Sequence, residues 1–138
     1  MPVSTTHLPV QLASAVAHFW DTRKRQARRQ GKGGNKDQGA RSAVTGGAQM
    51  GGFMRLVTTW IVGAGIQKAS IHYASRLELP GFFRPTKKWD ILVVQDGELL
   101  AALEAKSQVG PSFGNNYNNR IEEAVGSATD LRTAFREG

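Results

Sequence analysis

The chain has 138 residues, 40% of them hydrophobic, and a formal net charge of +7, which is enough for one compact domain and not two. It has no cysteine, which excludes disulfides and Cys-based zinc sites, and its three histidines (His7, His18 and His72) lack ligand spacing. The charge is uneven: residues 1–50 carry +6 and residues 51–138 only +1. Such a basic segment suits a polyanion such as DNA, or is a solvated arm without a specific partner. There is no charged start followed by a long apolar core, and the longest uncharged apolar run, Leu56–Ile66, falls well short of the ~20 residues of a membrane span. A soluble, cytoplasmic protein is expected.

Residues 8–30 read as a first helix, with Leu8, Leu12, Ala15, Val16, Phe19 and Trp20 at helical spacing and Pro9 in the first turn. Its cationic end places Arg23, Lys24, Arg28 and Arg29 either against phosphates or in solvent. Residues 31–52 contain eight glycines and read as a flexible loop; no Gly-Lys-Ser/Thr follows at P-loop spacing. Residues 53–76 read as a second helix whose stripe Phe53, Leu56, Val57, Trp60, Ile61, Ala64 and Ile71 is core. Gly63 and Gly65 weaken it locally or permit close packing.

Two strands follow, Lys88–Gln95 and Glu98–Ser107, apolar on both faces and so expected to be covered on both sides. Residues 108–118 read as a polar loop. Asn119 with Glu122 reads as a capping box opening a third helix, with Ile121, Ala124, Val125, Ala128, Leu131 and Phe135 marking one face.

The chemistry concentrates in the hairpin, where Asp90, Glu104 and Lys106 form the pattern D-x13-E-x-K. Side chains alternate along a strand, so Glu104 and Lys106 share a face. Whether Asp90 joins them depends on the turn. A two-residue Asp96-Gly97 loop alone pairs Asp90 with Leu103 and points it away from Glu104, because a one-residue slip flips every side chain. An odd loop or a β-bulge restores the face, and a metal site here requires one of them.

Two carboxylates and a backbone carbonyl suit Mg2+, which takes oxygen ligands and keeps several waters. Asp90, Glu104 and the Ala105 carbonyl are the candidate ligands. Lys106 would orient the attacking water and offset charge on a phosphoryl group. The bland alternative is a strand-end salt bridge. In the following loop, Gln108 could touch water or phosphate. Asn115, Asn116, Asn118 and Arg120 could read base edges or simply build turns.

The run Pro85–Gly138, above all EAKSQVGPSFGNNYNNR, resembles the XhoI-type family of type II restriction endonucleases, as do the helical first half and the Gly-rich segment. The resemblance implies a restriction-endonuclease-like α/β fold, a mixed sheet flanked by helices, within the PD-(D/E)xK nucleases. It implies Mg2+-dependent cleavage of double-stranded DNA at CTCGAG with four-base 5′ overhangs, by a homodimer. Asp90, Glu104 and Lys106 match the motif's metal and catalytic positions, while Trp89 stands where the general motif has proline. Family members are longer, so residues 1–138 are expected to be a single domain forming the N-terminal part, with the sheet incomplete at its C-terminal side. A basic DNA-binding remnant without catalysis, and another metal-dependent nuclease on the same fold, remain open alternatives.

Overall fold

A computed structural model describes residues 5–31, 48–73, 75–107 and 113–138, with only the helical backbone described for residues 29–31 and 113–116. The chain is mixed α/β, as expected, and every strand pair among the described residues is antiparallel. It divides into two compact units, Met1–Lys68 and Ala69–Gly138. No helix among the described residues is long and apolar enough to cross a membrane.

The first unit packs helix α1 (Leu8–Gly31) on α2 (Gly51–Gly63), which is preceded by a single 3-10 turn at Ala48–Met50. The helices meet closely at small residues: a Cβ on Gly52 would lie 3.1 Å from both Cα and O of Ala15. Around that point Ala15, Phe19 and Leu56 are buried, Phe19 meets Phe53 edge-on, and the Trp60 indole N–H donates to Gln11 Oε1 at 3.2 Å. Leu12, Val16 and Trp20 remain exposed, so only some of the apolar residues at helical spacing are core.

Two expectations for this half are corrected. Gly51 and Gly52 belong to α2 rather than to a loop. The second helix stops at Gly63 instead of continuing to residue 76: Gly65 takes a left-handed φ of +99°, which no residue handles as cheaply as glycine, and residues Ile71–His72 become a strand.

The second unit holds β1 (Ile71–His72), β2 (Glu78–Pro80), β3 (Thr86–Lys88), β4 (Ile91–Gln95), β5 (Glu98–Leu103) and α3 (Phe113–Glu137). One sheet has the order β1-β4-β5, and β2 and β3 form a second, two-stranded sheet. Central strand β4 buries Ile91, Leu92 and Val93 almost completely, so both its faces are covered as expected. Leu77, Trp89 and Leu92 form a core cluster packed by Leu79, Val94, Leu99, Ala102 and Leu131 of α3.

The expected strand 88–95 is in fact two ladders joined at a bend. Trp89 N–H bonds Leu77 O at 2.8 Å, continuing the β2–β3 ladder, while Asp90 N–H bonds Leu103 O at 3.0 Å and begins the β4–β5 ladder. Trp89 therefore packs with Leu92 and not with Ile91 and Val93, as simple alternation predicts. A proline at this position could not make the Trp89 bond.

The third helix begins at Phe113, not at Asn119, so Asn119 is no cap. Adding an Asn to an already nucleated helix costs only tenths of a kcal/mol, too little to delay its start. Of the apolar face read from its spacing, Leu131 packs against the core cluster. Ile121, Val125 and Phe135 are 47%, 60% and 65% exposed, whereas Ser127 and Asp130 are the residues it buries.

Candidate active site

The hairpin turn is the two-residue form, with Asp96 and Gly97 at φ +53° and +83°; Gln95 faces Glu98 across it. By itself that turn would misplace Asp90. The ladder, however, shifts between Val93 and Val94: Val94 pairs with Leu99, while Val93 pairs with Ala101, leaving Leu100 as an extra residue in β5. Beyond this bulge the pairs are Leu92 with Ala102 and Ile91 with Leu103, the parity under which Asp90 and Glu104 fall on one face. The required register correction is thus present, in β5 rather than in the loop.

Asp90 Oδ2 accepts the Ala105 N–H at 2.7 Å, which ties its carboxylate to the backbone that follows Glu104. Ala105 makes this contact through its N–H and not through the carbonyl expected to be a ligand. Glu104 is gripped on both oxygens: Lys106 Nζ lies 2.5 Å from Oε1, and Lys87 Nζ, from β3, lies 2.7 Å from Oε2. Lys106 also reaches Glu123 at 3.2 Å, and Glu123 pairs with Arg120 at 2.7 Å. The result is a row of alternating charge, Lys87–Glu104–Lys106–Glu123–Arg120, running from β3 across the end of β5 to α3.

Burial pushes the Glu104 carboxyl up, but the hydrogen bonds from Lys106 and Lys87 outweigh it and hold it below the usual glutamate value. Burial pulls Lys106 down, and its bonds to Glu104 and Glu123 more than offset this, leaving it raised. Glu123 is lowered by its bonds from Lys106 and Arg120. The stabilisation from the two glutamates is therefore complete above the ordinary carboxylate pKa and is lost as pH falls through the lowered values. Carboxyl-carbon titration by NMR should show both midpoints below that of a free glutamate, with thermal stability falling in acid over the same range.

A cavity of about 430 Å³ opens beside these groups, lined by Trp89, Ala102, Glu104 and Lys106 on one side and by α3 residues including Ser127 and Leu131 on the other. No cluster of three or more His, Cys, Asp or Glu able to hold a metal occurs among the described residues. Asp90 and Glu104 are two carboxylates on neighbouring strand ends, a donor set that fits a hard, largely hydrated divalent cation and no soft or nitrogen-seeking one.

The other expected contact residues divide. Gln108 lies outside the described residues, as do the side chains of Arg29, Asn115 and Asn116. Asn115, Asn116, Asn118 and Arg120 stand on the first turns of α3 and not on a loop, a correction that follows from the earlier helix start. Asn118 is exposed, and Arg120 is engaged with Glu123. Arg28 is exposed on α1, in the other unit. Lys87 and Glu123 were not singled out from the sequence. Arg120 and Glu123 at i,i+3 carried a local signal. Lys87 carried none, since its partner lies just past the end of β5.

The family model described as restriction endonuclease XhoI matches residues 29–138. Among curated proteins, the chain is 53% identical over 125 residues to the type II restriction enzyme AbrI of Azospirillum brasilense, covering 90% of this chain and 56% of that one. It is 54% identical over 107 residues to BstVI of Geobacillus stearothermophilus (74% and 48%) and 48% identical over 130 residues to XhoI of Xanthomonas vasicola (89% and 50%), both also named type II restriction enzymes. The chain spans about half the length of these relatives. No solved structure matches it.

Proposed function

The chain belongs to the XhoI family of restriction endonucleases, and from that premise we propose that it carries the catalytic motif of a type II enzyme that cuts double-stranded DNA at CTCGAG with Mg2+, leaving 5′ overhangs, as a homodimer in the cytoplasm. The observation that supports the proposal is the bulge at Leu100, whose register shift restores the parity that a shared face for Asp90 and Glu104 requires.

In this reading Asp90 and Glu104 hold the cation, with the Ala105 backbone between Glu104 and Lys106. The bound cation supplies charge stabilisation at the phosphoryl oxygens and lowers the pKa of a coordinated water. The Ala105 N–H keeps Asp90 oriented without consuming its negative charge. The Lys106 ammonium, once drawn from Glu104, orients water and offsets charge at the phosphate. Phosphate contacts from Arg28, Arg29 and Gln108 and base contacts from Asn115, Asn116, Asn118 and Arg120 complete the proposal.

The test is digestion of a plasmid bearing one CTCGAG site, with the product ends sequenced. Linear product at that site is expected with Mg2+, none after chelation, and none from Lys106→Ala. Salt-sensitive DNA binding without any cleavage would instead mark a non-catalytic module. Metal-dependent cutting without site preference would mark a nuclease of another kind.

A further inference from the structure

Lys87 is not a surface lysine that happened to meet an acid. It sits in β3, in register with Leu79, one residue before the strand ends. Its side chain is only 13% exposed, and its ammonium lies 5.0 Å from the ring centroid of buried Trp89 and 2.7 Å from Glu104 Oε2. A cation so far withdrawn from water needs its counter-ion. Lys106 is differently placed: it is 32% exposed and has Glu123 as a second acid to which it can turn. Among the described residues, Glu104 is the acid that Lys87 meets.

Both Glu104 oxygens are therefore occupied by ammonium groups, and a divalent cation has to compete for them. Lys106 has somewhere to go; Lys87 does not. We propose that Lys87 is a positioning residue, a built-in counter-ion that holds Glu104 in a charge-balanced site and keeps divalent-cation affinity low in the DNA-free chain. The inference rests on the assignment of Asp90 and Glu104 as cation ligands. With Lys106 turned away, Lys87 stays on Oε2 and opposes the incoming cation. A unit charge and a double charge about 5 Å apart, even in a water-like dielectric, change an equilibrium constant by on the order of tenfold. An arriving phosphodiester adds negative charge and relieves that opposition, so cation and DNA would bind cooperatively.

The experiment measures Mn2+ binding to the DNA-free 138-residue chain by electron paramagnetic resonance, at fixed pH and ionic strength. Lys87→Met keeps the stem over Trp89 and removes the charge; Lys87→Gln removes the charge but keeps a donor, which guards against a packing artefact. Both should bind Mn2+ about tenfold more tightly than the parent, while Lys87→Arg leaves affinity unchanged. A lysine with a merely structural role would lower affinity when removed. Unchanged or weaker binding in Lys87→Met and Lys87→Gln, with binding still abolished in Asp90→Asn, would overturn the inference and leave the ligand assignment standing. Absence of Mn2+ binding in the parent and in both Lys87→Met and Lys87→Gln, or its persistence in both Asp90→Asn and Glu104→Gln, would overturn the ligand assignment and the inference with it.

Discussion

Asp90→Asn is expected to reduce DNA cleavage by about a thousandfold or more while leaving the fold intact. The two consequences come from different atoms. The asparagine side chain would retain a carbonyl oxygen able to accept the Ala105 N–H, the hydrogen bond that Asp90 Oδ2 makes at 2.7 Å. The strand ends therefore stay in place, and because the position is exposed, the change in stability should be under ~1 kcal/mol. The negative charge is lost entirely. Charge stabilisation by a bound cation contributes several kcal/mol to such a reaction, and ~4 kcal/mol corresponds to roughly a thousandfold in rate. The check pairs cleavage rates at saturating Mg2+ with thermal denaturation of the same preparation. Loss of both together would make Asp90 a structural residue. Loss of neither would remove it from the site.

The contrast between Asp90 and Lys87 shows what the sequence could reveal. The first helix was readable almost to the residue, because an amphipathic period and Pro9 are local signals. The hairpin was readable too: Asp96-Gly97 specifies a tight turn, and parity of spacing alone shows that a two-residue turn and a shared face for Asp90 and Glu104 are incompatible without a bulge. The need for a correction was legible; its place at Leu100 was not, because any position along β5 restores the same parity. Lys87 and Glu104 are 17 positions apart, one in β3 and the other just past the end of β5, so no local pattern links them. The break between Trp89 and Asp90 was hidden for a related reason. In the run Lys88–Gln95 the strand-averse Asp90 is only a weak sign of a break, and it is the hydrogen-bond partners Leu77 and Leu103 that show the run serves two ladders.

Asp130→Ala is expected to destabilise the second unit by about 2–4 kcal/mol, from the loss of two hydrogen bonds to a buried carboxylate and of a partly solvated ion pair. Asp130 is only 2% exposed and sits on α3. Its Oδ1 accepts the N–H groups of Phe82 and Phe83 at 3.0 and 2.7 Å, and its Oδ2 meets Arg84 Nε at 3.0 Å. One carboxylate thus ties the loop between β2 and β3 to the last helix. The fit is close: a Cβ on Gly81 would collide with Asp130 Oδ2 and fall 2.8 Å from Arg84 O, so Gly81→Ala should destabilise the same loop. Alanine at 130 leaves two partly buried N–H donors and a guanidinium without this partner, whereas Asp130→Asn can keep the two N–H bonds and loses mainly the pairing with Arg84, itself 42% exposed. The asparagine variant should therefore cost about 1–2 kcal/mol. With typical domain stabilities of ~5–15 kcal/mol, the alanine change alone removes a sizeable share of the total. It also reaches the site, because the loop leads directly into β3 and so into Lys87, Trp89 and Asp90. Chemical denaturation of the three variants should give the order parent, Asp130→Asn, Asp130→Ala; an alanine variant as stable as the parent would show that α3 and the β2–β3 loop are held together by something other than this carboxylate.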